Sequence, residues 1–198
     1  GGIARLQNDA LDMYGQEDGF LDRRAWSIAA DREGGLWIGT RGGLAQLRDG
    51  AAISFSTAEG FAGDIGRAVF EDADGSLYFG FSGGVSRFRN GRVENLDLGP
   101  GLRGAVVRGI MRDHRGRLWF GTDLGIAEET APGRYRVYGD GEGLPPGGRF
   151  ALEDSKRRMW ITSSVGLRQL VNGRAATPGS LRELDGRSIE SLFEDRSG

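Results

Sequence analysis

Apolar residues do not recur at helical spacing along this chain; they come in short alternating runs broken by glycine. Between Trp26 and Phe55 the order is "WSIAAD", a turn at "REGG", "LWIGT", a second break at "RGG", "LAQLR", Asp49-Gly50 and "AAISFS". Alternation of bulky with small or polar side chains over four to six residues is the pattern of half-buried strands, and Gly-rich breaks mark the turns between them. Asp-Gly between two such runs predicts a tight hairpin, because a type I′ turn needs positive φ at both central residues. Asn90-Gly91 and Asn172-Gly173 fill the same slot later in the chain, while Ala131-Pro132-Gly133 predicts a turn of another type there. The segment therefore reads as four antiparallel strands, here called a, b, c and d.

The same unit is written again and again. Trp37, Tyr78, Trp119 and Trp160 are 41 residues apart, and Asp31, Asp72, Asp113, Asp154 and Asp195 keep that step. So do Gly2, Gly43, Gly84, Gly125 and Gly166. A period of about 40 to 45 residues with four strands per unit predicts an all-β fold, a β-propeller of four-stranded antiparallel blades. An α-helical solenoid is disfavoured by the frequent glycines. The expected blades are 26–66, 67–107, 108–148 and 149–188, flanked by partial blades at 1–25 and 189–198. The chain is expected to open in strand c, to close in one strand a over Ile189–Asp195, and so to be an arc of about five blades cut from a larger ring mid-blade at both ends. The aromatic of strand b is expected to pack each blade on the next. The Asp ending strand a is expected to bond backbone two residues on and hold the a–b turn.

Composition narrows the picture only a little. The 36 glycines fall in phase with the repeat and are not a low-complexity tract. With 26 basic and 28 acidic residues and a net charge of −2, the chain announces no nucleic-acid or anionic-membrane surface. Lys156 is the single lysine, and cysteine is absent, which removes disulfides and thiolate chemistry. No apolar run approaches the roughly 20 residues of a membrane span, so this segment is expected to insert in no membrane. The sequence begins without Met, and a piece of a longer protein is expected. Catalysis has little to stand on: no Ser-His-Asp set, metal cluster or phosphate loop is visible, and His114 is expected to be a solvated turn residue. No cofactor is expected.

The pattern carried by Ile28, Asp31, Leu36, Trp37, Gly39, Thr40, Gly43, Leu44, Leu47 and Gly50 resembles the two-component regulator propeller repeat. The stretch "EGLPPGGRFALED", Glu142 to Asp154, is similar to that family's lead-in to a blade, while Tyr78, Phe81 and Thr162-Ser163 depart from it. The resemblance implies the periplasmic sensor part of a bacterial membrane receptor with a histidine kinase or diguanylate cyclase output. Its partners would be a small-molecule or oligosaccharide ligand, downstream signalling domains of the same parent chain and, for the parent, a second copy in a homodimer. A protein- or carbohydrate-binding propeller without signalling output is the alternative, and a propeller lyase or hydrolase the least favoured.

Binding is expected where the repeats differ. In a propeller, strand a lines the channel, and the d–a and b–c loops share one mouth; these loops (58–66, 99–107, 141–148 and 179–188; 40–43, 81–84, 122–125 and 163–166) vary most. Arg67, Arg108 and Arg149 hold one phase at the start of strand a, where Trp26 and Glu190 stand in the flanking repeats. Guanidinium groups gathered at a channel mouth would suit a carboxylate, sulfate or phosphate. The competing arrangement pairs each arginine with a neighbouring blade through Glu71, Glu153 or a loop carboxylate. Arg41, Asp64, Arg103, Asp123 and Ser164 are second-rank candidates on the same loops.

Overall fold

A computed structural model describes residues 2–145 and 147–195. The chain is all-β, and the expected propeller blades are present as four antiparallel sheets of four strands each, with a two-stranded sheet before them. That hairpin pairs Ile3–Gln7 with Ala10–Tyr14. The first blade runs Ala25–Ala30, Leu36–Thr40, Gly43–Arg48 and Ala51–Phe55. The second runs Gly66–Glu71, Leu77–Phe81, Gly84–Arg89 and Arg92–Leu96. Strands Val107–Arg112, Leu118–Thr122, Ile126–Ala131 and Arg134–Tyr138 make the third. The fourth comprises Phe150–Glu153, Met159–Ser163, Gly166–Val171 and a short Arg174–Ala176. The chain divides into two compact units, 1–96 and 97–198.

Turn chemistry sets the strand order. Asp49 and Gly50 have φ of 51° and 81°, and Asn90-Gly91 and Asn172-Gly173 repeat this, as type I′ hairpins require. Within the first unit the strand b aromatic packs blade on blade: Trp37 lies 5.0 Å from the Phe79 ring and 5.9 Å from Phe88, in a cluster with Leu44, Phe61, Leu77 and Phe81. In the second unit Trp119 is buried with Ala151, Met159 and Ile161 of the following blade.

Strand b also needs glycine for backbone approach. A Cβ on Gly39 would lie 2.8 Å from the carbonyl oxygen of Gly66, and one on Gly121 would lie 2.4 Å from that of Arg149. The start of the next blade passes directly over these positions, which explains the Gly of "LW.GT".

The expected closing strand over Ile189–Asp195 does not form a ladder. Residues 187–195 have no regular structure, and the chain before them makes a 3-10 segment at Gly179–Leu184. In every blade strand a bonds the strand b that follows its turn, and no such strand follows Ile189 among the described residues. The tail is tacked down instead, by the Ile189 N–H to the Ser163 carbonyl at 3.0 Å and by the Glu194 carboxylate accepting the Ser155 N–H at 2.8 Å. Residues 196–198 of the expected last partial blade lie outside the described residues.

Candidate functional site

Each blade has two ends, and the side chains at them do different work. At one end lie the a–b turns. Asp31 Oδ1 accepts the N–H groups of Glu33 and Gly35, at 3.1 and 2.7 Å, and its Oδ2 accepts the Trp37 indole N–H at 3.0 Å. Asp113 does the same for Arg115, Arg117 and Trp119, and Asp154 for Lys156, Arg158 and Trp160. The expected Asp turn and the expected Trp packing are thus one device: the carboxylate that shapes the turn also fixes the ring six residues on. The second blade, with Tyr78 in place of Trp, is wired differently, since the Asp72 carboxylate takes the Ala73 N–H at 2.6 Å and the Tyr78 phenol bonds Arg87.

In the third blade this device grows into a buried network. Arg117 holds both Asp113 and Glu128, and Glu128 accepts the Tyr138 hydroxyl. Burial, followed by the bond to Glu128, pushes the Tyr138 phenol up to about 12. Burial also raises the Asp113 carboxyl, but the Trp119, backbone and Arg117 donors outweigh it and hold the group below the usual carboxylate value; Asp154 is held low in the same way by Trp160 and Arg158.

Neighbouring turns within a unit are clipped together by the residue before each Asp. Glu71 accepts the Arg32 N–H at 3.0 Å, Glu153 accepts the His114 N–H at 2.7 Å, and Glu194 serves Ser155. His114 sits in this turn as expected, but its ring Nδ1 is also in contact with Glu153, so it is a clip between blades more than a solvated residue. Glu71 and Glu153 are therefore engaged at the turn end, Glu71 with Arg32 and Glu153 with His114 and Arg157.

At the opposite end the d–a and b–c loops meet within each blade as expected, through one repeated bond. The N–H groups of Arg41, Ser82, Asp123 and Ser164 donate to the carbonyls of Arg24, Ile65, Val106 and Gly147, at 3.1, 3.0, 3.2 and 3.2 Å. Just inside this bond, strand a carries a register shift against strand b, between Ala25 and Ser27, Gly66 and Ala68, and Val107 and Gly109. The extra residues are Trp26, Arg67 and Arg108, so the phase singled out in the sequence is a β-bulge, a device that redirects a side chain. The fourth blade starts its ladder at Phe150 without such a shift.

The candidates divide as follows. Arg67, half-buried, lays its guanidinium over the exposed Trp26 ring, 4.3 Å from the centroid, and its Nε reaches Ser82 Oγ at 3.4 Å. Arg149 pairs with Glu190, the residue that holds its phase in the next repeat. Arg108, Arg41 and Arg103 are exposed and make no side-chain hydrogen bond or ion pair among the described residues. Asp64 accepts the Thr57 N–H at 2.8 Å, and Asp123 Oδ1 accepts the Val106 N–H at 2.8 Å, so both shape their loops. Ser164 is half-buried beside Gly147. Arg67 belongs to the first unit and Arg108 and Arg149 to the second.

Two features escaped the sequence reading. One is the pairing of Trp26 with Arg67, which equal phase 41 residues apart could have suggested. The other is a cleft of about 450 Å³ in the second unit, where Leu152, Trp160 and Leu167 face Leu181, Leu192 and Phe193 of the tail. Among the described residues no group of three His, Asp or Glu side chains could hold a metal ion, and no helix is long and apolar enough to cross a membrane.

Residues 19–42 and 101–123 match the two component regulator propeller family. Among curated proteins none matches the sequence at a significant level. Among solved structures, the extracellular domain of BT4673 from B. thetaiotaomicron, described in one case as a one component and in another as a hybrid two component system, superposes with a TM-score of 0.74 at 21% identity, over 88% of this chain and 28% of that one. Virginiamycin B lyase from Staphylococcus aureus gives 0.67 at 14% identity, over 87% of this chain and 61% of that one. PorZ, a surface component of the type-IX secretion system of Porphyromonas gingivalis, gives 0.62 at 17% identity, over 89% of this chain and 31% of that one. These likenesses are of fold, and the chain spans under a third of the BT4673 domain. Two stretches of this chain, 19–42 and 101–123, thus carry a repeat similar to that of the two component regulator propeller family.

Proposed function

We propose that this chain is a ligand-sensing segment of a bacterial signal-transduction receptor of the histidine kinase or diguanylate cyclase type, lying in the periplasm. A small solute or oligosaccharide would bind on the loop end of the blades and alter the packing of a downstream signalling domain in a homodimeric parent. The observation that carries this reading is the contrast within each blade. The a–b turns of the first, third and fourth blades share one set of Asp bonds, whereas side chains on the loop end differ from repeat to repeat on one fixed frame, which is how binding surfaces are set on rigid scaffolds. The family of the repeat and the BT4673 likeness support a receptor. We assign no chemical step to the segment, because its one histidine is held by Glu153 in a turn at the other end.

A ligand shifts a receptor only through unequal affinity for its two states. The test is therefore the output of the intact receptor in membrane vesicles, as autophosphorylation or cyclic-dinucleotide synthesis, across a panel of neutral and acidic oligosaccharides. An output that changes with one class supports the reading. An output flat across the panel, with saccharide binding retained, would favour a binding propeller without signalling.

A further inference from the structure

We infer that the loop end of the first blade is a platform for an acidic saccharide, built on Trp26 and Arg67 and flanked by Arg24 and Arg41; this rests on the receptor reading above. Trp26 is 52% exposed, against 2% for Trp37 and Trp119. This ring, half in water at a bulge, stands outside the buried clusters of the blade, and the Arg67 guanidinium is stacked on it. Arg67 is itself held by Ser82, so the pair is fixed before any ligand arrives.

The flanking charges are the second observation. Ala25 pairs with Thr40, and the next bond outward joins the Arg41 N–H to the Arg24 carbonyl, so Arg24 and Arg41 stand directly opposite each other across strands a and b. Like charges in that relation destabilise a sheet. The corresponding pairs in the other repeats are Ile65 with Ser82, Val106 with Asp123 and Gly147 with Ser164, none of them like-charged. The frame therefore does not require two arginines there. Both are exposed, and neither side chain has an ion pair among the described residues; Asp22 is beside them, with its Oδ1 accepting the Arg24 backbone N–H at 2.7 Å. A parallel bridge between Gly43 and Ile65 brings the Arg41 loop alongside the segment that leads into Arg67.

An exposed indole at the same end of the blade as two unpaired arginines, Arg24 and Arg41, suits a ligand with an apolar ring face and an anionic substituent. A pyranose ring bearing a carboxylate offers both: its C–H face stacks on the indole, and its carboxylate receives planar paired N–H donors from arginine.

Isothermal titration of the intact protein with a galacturonic acid tetramer, a neutral galactose tetramer of the same length and inorganic sulfate decides the matter. The acidic tetramer is expected to bind at least about tenfold tighter than either of the others. An Arg24→Ala, Arg41→Ala double variant should lose about tenfold or more for the acidic tetramer alone, a loss typical of charged hydrogen bonds. Trp26→Ala should weaken both saccharides, and Trp26→Phe should restore most of the loss. Unchanged thermal unfolding of these variants establishes that folding is not the cause. Equal affinity for the two tetramers, no binding of either, sulfate binding as tight as the acidic tetramer, or a double variant equal to the parent would each overturn the platform. A receptor whose output answers other ligands while the acidic tetramer fails to bind loses only the platform. Arginine-dependent binding with a silent output keeps the platform and removes the sensor reading.

Discussion

The two ends of a blade use the same residue types to opposite effect. At the a–b turns, arginine and carboxylate are consumed by the fold: Arg117 serves Asp113 and Glu128, Arg158 serves Asp154, Arg48 bridges Asp31 and Glu33, and Arg32 meets Glu71 of the next blade. At the loop end Arg24, Arg41, Arg103 and Arg108 stand in water without ion pairs among the described residues. Blade-on-blade packing needs a rigid turn, because each sheet is too thin to bury its own faces and relies on its neighbours. The loop end carries no such burden, so its side chains are free to vary. Charge at the turns therefore reads as stability; at the loop end Asp64, Asp123 and Arg149 also serve the fold, and the unpaired arginines are what the proposed ligand would use.

The sharpest way to break this division is at Asp113. Asp113→Ala leaves the Arg117 guanidinium, the Trp119 indole and two backbone N–H groups without their buried acceptor, and should cost about 3 kcal/mol or more in urea unfolding. The same carboxyl sets a pH dependence. A group whose folded pKa lies below its unfolded value stabilises fully above the unfolded value and loses that contribution as pH falls through the folded one. Stability should thus decline below about pH 4, and Asp113→Asn with Asp154→Asn should flatten that decline.

Gly121→Ala comes next. Its Cβ meets the Arg149 carbonyl oxygen at 2.4 Å and the carbonyl carbon at 2.8 Å, and the two backbones must separate, at about 2 kcal/mol in the same assay. Glu153→Ala removes one clip, the 2.7 Å bond to the His114 N–H, and should cost about 1 kcal/mol. Arg108→Ala, at the other end, should leave the unfolding midpoint within about 0.5 kcal/mol of the parent. A loss there as large as at Glu153 would erase the distinction between the ends.

Much of this was legible in the chain because period and turn chemistry are local signals. Asp49-Gly50 and Asn90-Gly91 state their own conformation, and Trp37, Tyr78 and Trp119 count out the blades. What stayed hidden depends on geometry that spacing does not carry. The bulges that offset Trp26, Arg67 and Arg108 arise from backbone register, and nothing in the residue types announces them. The bond from Asp31 to the Trp37 indole joins two residues each of which already had a sufficient explanation. The segment Ile189–Asp195 has the apolar content of strand a, yet a strand forms only with a partner, and its partner strand b is not among the described residues. For the arginines, phase identified the position, but their occupations differ: Arg67 stacks on Trp26, Arg149 pairs with Glu190 and Arg108 faces water.

The most direct test of the division between the ends is amide hydrogen exchange of the intact protein with and without the galacturonic acid tetramer. Slowed exchange confined to residues 22–26, 40–43 and 65–67, with 31–37 unchanged, is the predicted result. Slowing at the a–b turns, or no change at either end, would contradict it.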